Sequence, residues 1–158
     1  MIDQGLRNIK TSKFGSFNKL VSGQINTDIL ISGSSRALCH YDPRLIQTIA
    51  GKSAYNIGVN ASQIDLQLSV LKTYLAHNIK PGILIQNLDL FSFETTRKDV
   101  IYDPGFYMPF LGEGELYEFL ETVHADAPKW KNIPLYGYTV PDMRFTWIAG
   151  VLGPVNTN

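Results

Sequence analysis

The chain has a single cysteine, Cys39, which rules out a disulfide within it. It has only three histidines, and no set of Cys and His carries the spacing of a zinc site, so no catalytic metal is expected. Charge is also sparse. Charged residues make up 18% of the sequence, and the 14 basic and 14 acidic residues cancel. About 25% is usual for a soluble domain, so the low value implies surface meant to be covered, or a chain that is incomplete. A neutral balance offers no basic field for nucleic acid. No apolar run reaches the roughly 18 residues of a membrane span, and the N-terminus lacks the apolar core of a signal peptide, so the chain reads as soluble. Repeats and low-complexity segments are absent. No Gly-rich nucleotide fingerprint is present, since Gly112-Glu113-Gly114 has no strand before it, and no cofactor is expected.

What is present starts at Thr27–Arg36, a short apolar strand that runs into Gly33-Ser34-Ser35-Arg36. Open α/β folds bind ligands at the carboxyl edge of the sheet, where this turn places its hydroxyls. The outward backbone N–H groups of such a turn suit an anion or a developing oxyanion. Asp42 as N-cap, Pro43 at the first helical position and Gly51 as a stop predict a helix over 43–50. A second strand is expected over 54–57. Ser62 and Asp65 have capping-box spacing ahead of a helix over 62–77. In that helix Ile64, Leu68, Leu71 and Leu75, widened by Val70 and Tyr74, form one apolar stripe expected to face the core. Ile83–Leu88 reads as a parallel strand buried on both faces.

The length suggests one domain. Residues 24–95 read as βαβαβ, hence an α/β fold: a three-layer α/β/α sandwich with a mostly parallel sheet. Residues 1–23, with Arg7, Lys10, Lys13 and Lys19 against Asp3, read as a basic, solvated arm, or as the segment beside a membrane helix upstream of Met1. Residues 96–158 are rich in aromatics. Of 18 aromatic residues, 13 lie between Phe91 and Trp147, in a stretch broken by five prolines. A helix is expected over 113–125. The aromatics suit a core, a self-association surface or stacking on sugar rings. The strands and helices that a complete sandwich needs exceed what remains, so the fold is expected to be incomplete at the C-terminus.

The turns at the strand ends resemble the SGNH/GDSL hydrolase family. Gly33-Ser34-Ser35 stands where the family has Gly-Asp-Ser, so the resemblance implies Ser35 as nucleophile, with Ser34 replacing the aspartate. Asn56-Ile57-Gly58-Val59-Asn60-Ala61 resembles the second block, whose glycine N–H holds the oxyanion. Ala61 falls in that donor position, Gly58 in the alternative register, and Asn60 lies beside them. Gln86-Asn87-Leu88-Asp89 stands near the third block, with Asn87 as a second donor, although the spacing differs. The family's final Asp-x-x-His is absent. The string Gly33-Ser34-Ser35-Arg36-Ala37, with His40 and Pro43, resembles members associated with bacterial cell-surface polysaccharides, many of which begin with one membrane helix. The implied function is a serine esterase or O-acyltransferase acting on an acylated carbohydrate, in an extracytoplasmic, membrane-anchored protein.

Read without the family, Ser34 and Ser35 cap the following helix, and Arg36 forms a salt bridge, with Asp89 as the first candidate. His40 is the candidate base and otherwise bonds a backbone carbonyl. Glu121 and His124 imitate Asp-x-x-His on a helix face but precede the expected final strand. A non-catalytic module binding an anion or carbohydrate, and a flavodoxin-shaped binder of nucleotides or sugar phosphates, are the competing readings.

Overall fold

The structure, a computed structural model, describes residues 2–94, 101–139, 148 and 151. The chain divides into two compact units, one formed by Leu20–Thr96 and the other by Met1–Lys19 together with Arg97–Asn158. The fold is mixed α/β, with a small three-stranded parallel sheet in the first unit. Among the described residues, no helix is long and apolar enough to cross a membrane.

In the sheet unit, β1 (Ile29–Ser32), β2 (Ala54–Asn56) and β3 (Ile83–Gln86) lie in the order β2-β1-β3. β1 is central, and all four of its residues are buried. Helices α3 (Ser35–His40) and α4 (Pro43–Ala50) connect β1 to β2, and α5 (Ile64–His77) connects β2 to β3. The three strands and α4 form where sequence places them. The Asp42 carboxylate accepts the Arg44 N–H at 2.8 Å, and Gly51 ends α4 at a φ of 62°. Asp28 and Ser53 clasp the amino ends of β1 and β2. Ser53 Oγ donates to the Asp28 carboxylate at 2.7 Å and accepts the Asp28 N–H at 2.8 Å.

Two expectations fail here. β3 is not buried on both faces: Ile83 and Leu84 are each 44% exposed, because among the described residues β3 is an edge strand with β1 as its only neighbour. The apolar stripe of α5 faces the core only along its Val70 and Tyr74 side. Leu66, Val70 and Tyr74 are buried, with Gln67, Ser69 and Thr73 beside them, while Leu68 and Leu75 are exposed. The inner face tolerates polar residues because they are satisfied. Gln67 donates to Ser62 O at 3.0 Å and accepts from Gln86 Nε2 at 2.7 Å, and Thr73 donates to Ser69 O at 2.9 Å. The Ser62–Asp65 capping box is not formed. Ser62 Oγ donates to Val59 O at 2.8 Å instead, and α5 starts at Ile64.

The end of α5 is stitched to the entry of β1. Asn78 donates to Leu20 O at 2.7 Å and accepts the Ile25 N–H at 2.8 Å. The fully buried Tyr74 hydroxyl lies 3.2 Å from Ile25 O and 3.0 Å from Ile79 O.

The second unit contains α1 (Ile2–Arg7), α2 (Ser12–Val21, whose last residues belong to the sheet unit), a 3-10 helix over Pro104–Phe110, α6 (Gly114–Val123), α7 (Ala127–Asn132) and a 3-10 turn over Tyr136–Tyr138. The basic arm is therefore helical rather than solvated. Its Leu6, Phe14 and Phe17 are buried, and Phe17 meets Phe110 with ring centroids 4.6 Å apart. Its charges are used locally: Arg7 donates to Pro109 O at 2.8 Å, and Lys13 pairs with Asp103. Phe106, Tyr107, Phe110 and Trp130 are buried, so much of the aromatic stretch is core. Apart from Ile148 and Val151, the apolar Phe145–Leu152 run lies outside the described residues.

Tyr74→Phe should cost about 1–2 kcal/mol in urea unfolding, because it removes the one hydroxyl hydrogen that the Ile25 and Ile79 carbonyls share. The clasp sets an acid dependence. The Ser53 hydroxyl first, then the Ser53 N–H, with Lys52 adding, hold the Asp28 carboxyl below its ordinary value against a smaller opposing effect of burial. A depressed folded pKa stabilises above the unfolded pKa, and that contribution is lost as pH falls through the folded one. Asp28→Asn should therefore flatten the acid limb of stability measured from pH 5 down to 2.

Candidate functional site

The carboxyl ends of the strands converge on Gly33. Its φ of 151° favours glycine, and an added Cβ would lie 2.7 Å from Ala37 Cβ and 2.8 Å from Asn87 Cβ. Gly33 O accepts the Val59 N–H at 3.0 Å, from the β2–α5 connection, and Ser32 O accepts the Asn87 N–H at 2.9 Å, from the exit of β3.

Ser34 is the N-cap of α3 and accepts the Arg36 N–H at 3.2 Å. The same hydroxyl donates to Asp89 Oδ2, so this buried serine spans the turn and the β3 exit. Arg36 Nη1 lies 3.4 Å from Asp89 Oδ1, close enough for a charge contact but not aligned as a hydrogen bond. The Arg36–Asp89 pair expected from sequence is thus present. Its value is modest, since the guanidinium side chain is 56% exposed. Asp89 is held from behind: its N–H donates to Ser92 Oγ at 2.6 Å, and the Ser92 N–H donates to Asp89 O at 3.0 Å.

Ser35 is the first residue of α3 and is half-buried, and its hydroxyl has no hydrogen bond among the described residues. His40 Nδ1 lies 3.1 Å from Arg36 O, the backbone role open to it in the sequence. Five residues along a helix is a rotation of roughly 140°, so His40 and Ser35 point to different sides of α3.

Asn56 and Gly58 are structural. Asn56 Nδ2 donates to Ala37 O at 2.8 Å and Tyr41 O at 3.0 Å, and its Oδ1 takes the Gly58 N–H at 2.9 Å. Gly58 therefore cannot offer that N–H to an oxyanion, and its own missing Cβ would fall 2.8 Å from Leu38 N. Ala61 is exposed, with a positive φ of 50°, next to the exposed Asn60. Asn87 Nδ2 reaches the Tyr41 hydroxyl at 3.4 Å, and its Oδ1 is buried without a partner.

Glu121 and His124 do not form a dyad. Glu121 accepts from the Tyr117 hydroxyl at 3.2 Å. His124 accepts the Asp126 N–H at 3.2 Å and lies against Trp130, with ring centroids 4.1 Å apart. No group of three or more His, Cys, Asp or Glu among the described residues could hold a metal. Sequence reasoning missed Tyr41 and Ser92. The Asp-x-x-Ser spacing of Asp89 and Ser92 was the available signal for the second.

No family model matches the chain, and neither a curated protein nor a solved structure does.

Ser34 and Ser35 should separate sharply on substitution. Ser34→Ala removes a helix cap and the hydroxyl partner of a nearly buried carboxylate, and should cost about 2 kcal/mol in denaturant unfolding. Ser35→Ala should change stability by less than about 0.5 kcal/mol.

Proposed function

We propose that the chain is a ligand-binding α/β module of SGNH/GDSL-like design, and that the Gly33–Arg36 turn receives an acylated or anionic carbohydrate without hydrolysing it. The observation that carries this reading is the engagement of Asp89 by Ser34 and Arg36, in place of a histidine. A serine hydroxyl is a weak nucleophile until a base takes its proton. No histidine contact to Ser35 occurs among the described residues, and His40 is bonded to a backbone carbonyl. The Ser35 hydroxyl and the exposed face of the Arg36 guanidinium remain for a ligand. The finer architecture on this reading is the three-layer sandwich, with α3 and α4 on one face of the sheet and α5 on the other. The resemblance that suggests the ligand also suggests an extracytoplasmic setting with a membrane anchor upstream of Met1.

One feature favours the esterase or O-acyltransferase reading. Ser35 opens the helix that follows the central strand, and its hydroxyl is uncommitted among the described residues. It would then act as nucleophile, with Ser35 N–H and Ala61 N–H holding the oxyanion and a base supplied from elsewhere.

A fluorophosphonate probe separates the two readings. The binding module should not be labelled. It should bind O-acetylated oligosaccharides in calorimetry, with Arg36→Ala weakening binding about tenfold. Labelling that disappears in Ser35→Ala would establish the hydrolase reading in its place.

A further inference from the structure

The segment that leaves β3 is apolar where it is most exposed. Over Leu88–Phe93 it reads Leu-Asp-Leu-Phe-Ser-Phe. Leu90 is 87% and Phe93 74% exposed, and Leu88 and Phe91 are exposed beside them. A single exposed leucine needs no explanation, but four large apolar residues within six positions make a patch. The segment is tied down from within. Ser92 is buried: its hydroxyl accepts the Asp89 N–H at 2.6 Å, its N–H donates to Asp89 O at 3.0 Å, and its carbonyl accepts the Ile64 N–H at 3.0 Å. The Glu94 N–H donates to Phe91 O at 3.1 Å. With Ser92 held inward, Phe91 and Phe93 on either side of it are left to solvent.

The one charge in this segment is spent on the ligand turn. Asp89 accepts from Ser34 Oγ and lies 3.4 Å from Arg36 Nη1. Leu88 and Leu90 adjoin Asp89, so the patch begins one residue, about 4 Å along the backbone, from the side chain that meets Arg36. Turn and patch are therefore continuous within the sheet unit. The Ser35 hydroxyl and the Arg36 guanidinium stand at one end, and hydrocarbon stands at the other. Leu and Phe carry no donor or acceptor for sugar hydroxyls. Tyr and Trp, which join a ring to a polar handle, are absent from the segment. The patch thus suits the hydrocarbon part of a ligand rather than its sugar.

We propose that the ligand carries a medium-length acyl chain, with its ester or anionic head at Ser35 and Arg36 and its hydrocarbon on Leu88, Leu90, Phe91 and Phe93. This inference rests on the ligand-binding reading above and names the acyl group that reading leaves open. An acetyl group offers a single methyl, which leaves most of the patch in water. Each further methylene laid on it adds affinity by withdrawing apolar surface from water.

Calorimetry of the full chain with sucrose monoacetate and sucrose monooctanoate, both below micelle concentration, tests it. The octanoyl ester should bind roughly thirtyfold more tightly, since its extra methylenes are each about half withdrawn from water. Leu90→Ser with Phe93→Ser should remove most of that gain and leave acetyl-ester binding and the circular dichroism unchanged. If the serines disturb the segment, Leu90→Gln with Phe93→Gln reads the same contact. Arg36→Ala should weaken both esters by the same factor. Acetyl-ester binding with no gain for the octanoyl ester overturns the inference and leaves the ligand-binding reading standing. A gain that survives both loop variants overturns it too, as does loop-dependent cosedimentation with phosphatidylcholine vesicles without a chain-length gain in the soluble esters. Failure of either ester to bind overturns the reading and the inference together. If the esters are hydrolysed, the non-catalytic reading fails, and the chain-length ratio in kcat/KM decides the inference.

Discussion

The carboxyl edge of the sheet depends on the lack of a side chain at Gly33. With Ala37 Cβ and Asn87 Cβ both under 3 Å from where a Cβ would lie, the β1–α3 turn and the β3 exit close on each other to a distance that no other residue allows. This approach puts Ser34 within reach of Asp89, and Asp89 within reach of Arg36. Ser32 O and Gly33 O then take N–H groups from the β3 exit and the β2–α5 connection, so the same few atoms satisfy three chain segments. The arrangement of polar groups at the edge follows from steric room at a single position.

The chemistry of the edge turns on which of two adjacent serines is spent. Ser34 both donates and accepts, which fixes its rotamer and buries it. Ser35, one helical step on, has neither duty among the described residues. A carboxylate committed to Ser34 and Arg36 is unavailable to orient an imidazole, which is the part a carboxylate takes in a serine triad. The charges at this turn therefore serve to hold the backbone.

The elements legible in the sequence were those set by local chemistry. Ile29–Ser32 is a short apolar run ended by a glycine, and Asp42, Pro43 and Gly51 announce both ends of α4. The Arg36–Asp89 pair was also legible, because parallel strands bring both residues to one edge. What stayed hidden depended on distant partners. The inner face of α5 could be chosen only by knowing that Gln67 meets Gln86 and that Ser62 turns to Val59, since by apolar periodicity the outer face is the stronger stripe. The N-terminal segment reads as a charged arm until Phe14 and Phe17 find Phe106 and Phe110, roughly ninety residues along the chain. The duty of Ser34 was hidden for the same reason, as its acceptor comes from the far side of α5 in sequence.

The Tyr74 hydroxyl, placed between Ile25 O and Ile79 O, also bears on how the sheet unit opens. Both carbonyls precede strands, one leading into β1 and the other into β3. Asn78 repeats the linkage from the next turn, to Leu20 and Ile25. Fraying of the last turn of α5 would expose all of these groups together, so the helix end and the two strand entrances form one cooperative unit of exchange. β2, joined to β1 on the other side and clasped to it by Ser53, stands outside that unit.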